Sequence, residues 1–181
     1  MVIQPLGSFD SELLDTVSST ISQIYHFKVS VLPSMDIPKS TFTNQKSPRY
    51  RADQIIGILK DTKPDSIDYV MGFIEKDIST TKRDINGNTL EPVSKYQDWG
   101  VFGLGYRPGV SSVVSTYRFR NSSEEKFTDR LLKISIHELG HNLGLKHCPD
   151  KKCVMTDAAE SIKTIDHVRL SLCETCSRKI D

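Results

Sequence analysis

This chain of 181 residues lacks three features that would each define a class of protein: an excess of one charge, a long apolar run, and cysteine in its first 147 residues. Lys and Arg number 24 and Asp and Glu 23, so the formal net charge of +1 creates no general attraction to nucleic acid or to an anionic membrane. No apolar run approaches the roughly 18 to 20 residues of a membrane span. The N-terminus has neither the basic start nor the uninterrupted apolar stretch of a signal peptide. We therefore expect a cytoplasmic protein that contacts neither a membrane nor nucleic acid.

The apolar content is modest but sufficient for one core. Leu, Ile, Val and Phe together make up 49 of the 181 residues, more than the roughly 20% below which chains usually stay disordered. The length is typical of a single domain, and the sequence contains no internal repeat. We predict one domain over residues 1–181, in which something besides apolar burial helps to hold the fold.

Hydrophobic periodicity predicts strands that alternate with helices. Strands are predicted at 2–6, 28–33, 66–78, 100–106 and 111–119, helices at 11–25 and 52–59, and a surface loop at 33–50. This order is typical of an open α/β layer, and the hairpin formed by the last two strands would supply its edge.

The last sixty residues are predicted to be mostly helical. Ser122 and Glu125 have the spacing of a capping box that opens a long helix, and a final helix is predicted at 164–180. A basic stretch at the start of the long helix is expected to be a solvated face. It comprises Arg118, Arg120, Lys126 and Arg130.

All four cysteines lie in the last 34 residues, as two short pairs. Cys148 and Cys153 are separated by four residues, Cys173 and Cys176 by two, and 19 residues lie between the pairs. Such pairs can complete the tetrahedral thiolate shell that zinc prefers. Two local disulfides or four unrelated thiols are the alternatives, and we favour zinc because the chain is expected to be cytoplasmic.

Three of the five histidines occur within eleven residues. His137 and His141 are four residues apart, so on a helix they project from one face and can bind one metal ion. Glu138 flanks that face and can reach a metal-bound water. Gly144 can take the positive φ that ends the helix and lets His147 return as a third ligand.

Three imidazoles leave the fourth zinc position to water, as in catalytic sites. Zinc lowers the pKa of that water to about 7, and Glu138 can accept its proton during attack on a carbonyl. We therefore favour hydrolysis of a peptide or protein substrate. One alternative is a zinc-binding interaction or sensor protein without turnover, for which a base beside the metal has no use. The other is a nucleic-acid-binding zinc knuckle, which the balanced charge disfavours.

The segment from His137 to His147 resembles the zinc motif of the metzincin metallopeptidases. The cysteines that follow, with Met155 between them, make the segment to Cys176 similar to the extended pattern of the archaemetzincins. The resemblance implies a compact α/β fold with a mixed, twisted sheet, flanking helices and an active-site helix. It also implies an upper lobe at 1–144 and a small zinc-stapled lower lobe at 145–181, with the cleft between them.

The same resemblance implies a role for each matching residue. His137, His141 and His147 would hold a catalytic zinc, Glu138 would be the general base, and Met155 would lie in the Met-turn beneath the imidazoles. The four cysteines would hold a second, structural zinc. Separately from the resemblance, we expect a monomer. By analogy, the strand near Gly103 and Gly105 would pair with an extended peptide. Residues 156–181 contain no tyrosine, which some metzincins place after the Met-turn to support the oxyanion.

Overall fold

The computed structural model describes residues 1–157 and 161–180, and in these residues the chain alternates strands with helices. In chain order the elements are β1 (Val2–Leu6), α1 (Ser11–Tyr25), β2 (Ser30–Val31), β3 (Phe42–Thr43), β4 (Arg49–Arg51), α2 (Ala52–Thr62), β5 (Val70–Ile74), β6 (Ile78–Thr80), α3 (Val93–Tyr96), β7 (Trp99–Val101), β8 (Gly103–Gly105), β9 (Ser111–Ser115), α4 (Glu124–Asn142), α5 (Ile162–His167) and α6 (Glu174–Ser177). Two short 3-10 turns, Lys39–Thr41 and Tyr117–Phe119, complete the regular structure of the described part.

The strands form two sheets in the described residues. The larger has the order β2-β1-β5-β9-β8, in which all pairs are parallel except β8 with β9. The smaller has the order β3-β4-β6-β7, with β4 and β6 parallel and the outer pairs antiparallel. The predicted α/β class is therefore confirmed, and β8 supplies the antiparallel edge strand.

Helices cover both faces of the larger sheet because its central strands bury side chains on both sides. Ile3, Phe73 and Val114 point into a core shared with α1 and α4. Val2 and Ile74, from the alternate positions of their strands, point into a second core beneath α2. The sheet thus fixes α4, which carries the histidine motif, against one face.

Two predicted strands are each divided between the sheets. The predicted strand at 66–78 is β5 followed by β6, and the predicted strand at 100–106 is β7 followed by β8. Each pair is interrupted where the chain crosses from one sheet to the other, so one apolar run serves two sheets. The predicted strand at 111–119 ends at Ser115, and the predicted loop at 33–50 contains the short strands β3 and β4.

The predicted capping box is wrong. The long helix begins at Glu124 with Ser123 at its N-cap, and neither serine makes a side-chain cap there. Ser122 instead donates its hydroxyl hydrogen bond to the carbonyl oxygen of Phe119, at 2.7 Å. The Ser122 hydroxyl, on which the prediction depended, is thus hydrogen-bonded to the 3-10 turn that precedes α4 and does not cap the helix.

The predicted final helix at 164–180 is also wrong, because it is two short helices with extended chain between them. The intervening segment makes backbone hydrogen bonds to the loop that carries Cys153: Arg169 donates to Lys152 at 2.8 Å, and Val154 donates to Ser171 at 3.1 Å. A continuous helix could not pair with that loop and deliver the last two cysteines to it.

Three basic residues of the expected solvated face are exposed, Arg118, Arg120 and Lys126, but Arg130 is not. Its side chain is only 12% exposed and pairs with Asp166. Arg118 pairs with the buried Asp77, which also accepts from Arg49, and this network joins the smaller sheet to the 3-10 turn. Among the described helices, none is long and apolar enough to cross a membrane.

Candidate active site and metal centres

The end of α4 is shaped by a glycine turn. The amide of Leu145 donates to the carbonyl of Gly140, and the amide of Gly144 donates to the carbonyl of His141, both at 2.9 Å. With φ of +90° at Gly144, this is the Schellman arrangement that ends a helix and reverses the chain. The predicted helix break at Gly144 is confirmed.

The turn brings the three histidine rings together. His137 and His141 project from one face of α4 with ring centroids 4.6 Å apart, and the ring of His147 lies 5.4 and 4.9 Å from them. One ring nitrogen from each residue lies within 4.8 Å of the others. That spacing lets one metal ion contact all three, since zinc binds imidazole nitrogen at about 2.0 to 2.1 Å.

The hydrogen bonds of the rings fit a metal. The Nδ1 atoms of His137 and His141 each lie 2.8 Å from a carbonyl oxygen, of Val154 and Leu145 respectively. A carbonyl oxygen only accepts, so both Nδ1 atoms carry the proton and both Nε2 atoms present a lone pair. Burial, with the neighbouring imidazole of His141, lowers the pKa of His137 to about 3, which keeps its ring neutral at pH 7.

Glu138 lies between the helix and the edge strand β8. Its side chain is so close to Gly103 that a Cβ there would meet Cγ at 2.7 Å and Oε1 at 2.8 Å, and a Cβ on Gly105 would meet the Glu138 carbonyl oxygen at 2.7 Å. Burial raises the pKa of Glu138 to about 8, and a hydrogen bond from the Gly105 backbone partly opposes the rise. A cation held by the adjacent imidazoles would also favour the carboxylate.

The three histidines and Glu138 open into a cleft of about 280 Å³. One rim is formed by β7 and β8, and the floor by α4. Ile165 and Val168 also line the cleft. The cleft is thus open to solvent, and the candidate catalytic groups line it.

Met155 lies directly beneath the histidine motif. It is fully buried, and a Cβ on Gly140 would meet its Sδ at 2.4 Å. Tyr25, whose hydroxyl donates to the carbonyl of Ile136 at 2.7 Å, lies on the same side and would be 3.0 Å from that Cβ. The absence of a side chain at Gly140 therefore lets α4 pack closely against Met155.

The four cysteines form a second cluster. Their Sγ atoms all lie within 4.8 Å of one another, the closest hydrogen-bonded pair being Cys148 and Cys173 at 3.6 Å, and none is in a disulfide. Burial and the neighbouring thiols raise the pKa of Cys176. Four crowded sulfur atoms that are not in disulfides suit a thiolate-binding metal.

The two clusters are joined by a short backbone bridge. The amide of Cys148, the residue after His147, donates to the carbonyl of Met155 at 2.8 Å. The Val154 carbonyl, next to Cys153, accepts from His137. Order in the cysteine cluster therefore fixes both the loop that carries His147 and the acceptor that orients His137.

The sequence-based prediction named every member of the two clusters but missed the supporting roles of the residues around them. Gly140, Gly103 and Gly105 are close-approach positions, and Arg130 with Asp166 joins α4 to α5. Two glycines one residue apart in a strand could have suggested a close backbone approach. Nothing in the local pattern links Arg130 to Asp166.

Comparisons with known proteins agree with this geometry. The model of peptidase family M54 matches residues 10–181. The chain is 31% identical to an archaemetzincin from Haloquadratum walsbyi over 97% of this chain and 96% of that protein. The crystal structure of an archaemetzincin from Archaeoglobus fulgidus, complexed with malonate, superposes with a TM-score of 0.76 and 28% identity over 99% of this chain and 98% of that one. The archaemetzincin structure from Methanopyrus kandleri shares the fold, with a TM-score of 0.78 at 24% identity over 99% of this chain and 91% of that one.

Fold and site thus define the class of protein: it is a zinc metallopeptidase, and the alternative of a zinc-binding protein without turnover is not favoured. The chain belongs to peptidase family M54. The resemblance found from the histidine and cysteine motifs is confirmed over nearly the whole chain.

Proposed function

We propose that His137, His141 and His147 hold the catalytic zinc and that Glu138 is the general base of peptide-bond hydrolysis. The observation that carries this proposal is the convergence of three imidazoles, two of them with protonated Nδ1 atoms, beside a carboxylate that lines the same cleft. Two imidazoles have the tautomer that metal binding needs, and the carboxylate has the position that a general base needs.

Zinc, when bound, supplies Lewis-acid polarisation of the scissile carbonyl and lowers the pKa of the attacking water. Glu138 accepts the proton of that water and returns it to the leaving amine. Gly103 of β8 lies against the Glu138 side chain and Gly105 against its backbone carbonyl, so the carboxylate is confined between α4 and the edge strand. A confined base keeps its orientation while the substrate enters and the product leaves.

The substrate is proposed to be a peptide bound in extended form along β8. This strand is the edge of the larger sheet, lines the cleft and passes next to Glu138. Its outer backbone groups can pair with a peptide as one more strand, which would place a peptide carbonyl near the metal.

We further propose that Cys148, Cys153, Cys173 and Cys176 hold a second, structural zinc, which brings the number of zinc ions to two. Met155 is proposed as the Met-turn residue, supported by its burial beneath Gly140. The cysteine cluster lies entirely after residue 144, in line with an upper lobe at 1–144 and a lower lobe at 145–181 within one metzincin-like domain.

We propose that the protein works as a monomer in the cytoplasm without a nucleic-acid partner. The grouped thiols support a reducing compartment, because oxidising compartments favour disulfides. The formal net charge of +1 supports the proposal that nucleic acid is not a partner. Sedimentation of the zinc-loaded protein would measure its mass directly, and a stable dimer would contradict the monomer.

The decisive variant is Glu138→Gln. It preserves the side-chain shape and all the proposed ligands, so we expect two zinc ions per chain by metal analysis. Cleavage of an unbiased peptide library should fall by about 100-fold to 10,000-fold, since a general base contributes that much. The matched control is Glu125→Gln, an exposed position near the start of the same helix, which should retain full cleavage. Equal cleavage by wild type and Glu138→Gln would contradict the proposal.

A further inference from the structure

Part of the cleft lining is apolar and comes from α5 and the residue that follows it. Ile165 and Val168 form this part and are each 5% exposed. Ile134 of α4 and Val154 line the cleft beside them, next to His137. Together these four side chains make an apolar recess adjacent to the candidate metal site, and its width depends on where α5 lies relative to α4.

The helix α5 is too short to hold its own position. It has six residues, and helices of that length are not stable in isolation. Its C-terminal end is attached to the cysteine loop, where Lys152 donates to the carbonyl of His167 at 3.2 Å and accepts from the amide of Arg169 at 2.8 Å. Ile165 packs into the core that α4 shares, but apolar packing does not fix direction, so a directional attachment to α4 must come from elsewhere.

A two-pronged ion pair makes that attachment. Arg130 donates from Nε to Oδ1 of Asp166 at 2.6 Å and from Nη2 to Oδ2 at 2.7 Å. The remaining guanidinium nitrogen, Nη1, donates to the hydroxyl of Ser122, which lies just before α4. The guanidinium is thus held on two sides. The two side chains are 12% and 27% exposed, and a paired fork of this kind fixes direction as well as distance.

The pair is also electrostatically favoured. Its hydrogen bond with Arg130 lowers the pKa of Asp166, and the nearby Lys126 and Lys133 act in the same direction. Lys133 is itself held by Asp129 at 2.7 Å. Asp166 is therefore an anion at neutral pH, and Arg130 is its strongest partner. Asp166 and Ile165 are adjacent, so fixing one sets the position of the other.

We propose that Arg130 and Asp166 form a positioning pair that sets the width of the apolar recess and thereby selects the substrate side chain next to the scissile bond. The inference rests on the proposed function, because it takes the recess to receive a substrate side chain. Neither residue is among the groups of the cleft lining, so the pair acts through Ile165 and Val168 rather than by touching the substrate. A recess of this kind favours a branched aliphatic side chain over a small one.

Two peptide hydroxamates that differ only in the side chain aimed at the recess, isobutyl in one and methyl in the other, test the proposal. Hydroxamates bind zinc, so calorimetry on the zinc-loaded protein measures recess selectivity without any cleavage. Wild type should prefer the isobutyl compound by about tenfold or more. Arg130→Gln and Asp166→Asn should each reduce that preference to about threefold or less, while the methyl compound binds as before. Arg130→Lys, which keeps the charge but not the fork, should be intermediate.

Arg120→Gln is the matched control, because it removes an exposed guanidinium that packs on Tyr117. It should leave the preference unchanged. Hydrogen exchange gives a readout independent of zinc: the amides at 162–168 should exchange faster in Arg130→Gln and not in Arg120→Gln. An unchanged preference, or equal loss of affinity for both hydroxamates, would overturn the positioning role.

Failure of the proposed function looks different. In that case zinc-loaded wild type would bind neither hydroxamate, while exchange at 162–168 would still respond to Arg130→Gln. Unchanged exchange in both Arg130→Gln and Asp166→Asn would show that the pair does not hold α5, and would overturn the inference whatever the hydroxamates do.

Discussion

At the scale of single residues, the histidine motif contains two glycines with different physical roles. Gly144 has φ of +90°, which side-chain-bearing residues rarely adopt, although a Cβ at this position would have no atom within 4 Å. Gly140 lies in a regular helix, where alanine would normally be better, and is required because Met155 and Tyr25 approach it closely. One glycine is needed for backbone conformation and the other for packing.

This difference predicts the effect of Gly140→Ala. The new methyl group would lie 2.4 Å from Sδ of the fully buried Met155, which has little room to move, so we expect a loss of about 1 to 3 kcal/mol in the free energy of unfolding. Denaturant titration of the zinc-loaded protein measures it. The matched control is Gly57→Ala in α2, where no atom lies within 4 Å and we expect a gain of about 0.5 to 1 kcal/mol. Similar changes in both variants would contradict the packing role.

At the scale of elements, the cleft is built from parts that are not stable alone. The edge strand β8 has three residues and α5 has six, yet both contribute to the cleft lining. Both contact α4: β8 is held by pairing with β9 and approaches Glu138 closely, and α5 is held through Arg130 and Asp166. The positions of the cleft elements and of the candidate metal-binding histidines are therefore all set relative to α4.

The Arg130–Asp166 pair also predicts how stability depends on pH. The folded-state pKa of Asp166 is lowered by the hydrogen bond from Arg130, so the stabilisation is present above the unfolded-state pKa of about 4 and is lost as the pH falls through the folded value. Asp166→Asn removes this contribution. The difference in unfolding free energy between wild type and Asp166→Asn should therefore be constant at neutral pH and shrink below about pH 4.

Chemical denaturation of both proteins at a series of pH values measures that difference, and taking the difference cancels the acid loss of metal that both proteins share. A difference that grows as the pH falls would have the wrong sign and would contradict the assignment. Glu174, which pairs with Arg178 on the surface, offers a control: both side chains are more than 70% exposed, and Glu174→Gln should change little at any pH.

At the scale of the whole molecule, the cysteine cluster adds a cross-link to the part of the core that the last segments share. The described residues after Gly144 form two short helices and extended segments, and three of the four cysteines there are buried in that core. A metal held by four thiolates would cross-link these segments to the loop beneath the histidines. This arrangement accounts for the modest apolar content noted in the sequence.

Removal of one thiol tests that role. Cys173→Ser should lose one of two zinc ions and lower the melting temperature by about 10 °C or more, because a structural metal contributes directly to folding. Below its melting temperature the variant should lose less in turnover rate than in stability, because the three histidines and Glu138 are unchanged. Glu138→Gln, with both metal sites intact, should melt like wild type. Equal melting temperatures for Cys173→Ser and wild type would contradict a structural metal.

The sequence by itself determined the groups that can hold metal and the point at which the helix between them must end. The helical repeat brings His137 and His141 to one face, a glycine at position 144 permits the reversal, and short spacing brings each cysteine pair together. Each of these relations involves residues that are close together in the sequence, so a short segment is enough to predict it. The same local patterns also predicted the helices α1 and α2 and the strand β1.

Only the tertiary structure decided which sheet each half of a divided strand joins, what confines Glu138, and what holds α5. Arg130 and Asp166 are 36 residues apart, and Gly103 and Glu138 are 35 apart. Contacts over such separations depend on how packed elements meet and leave no periodic trace in the chain. The final helix failed as a prediction for the same reason, since pairing with the cysteine loop outweighs the helical pattern of those residues.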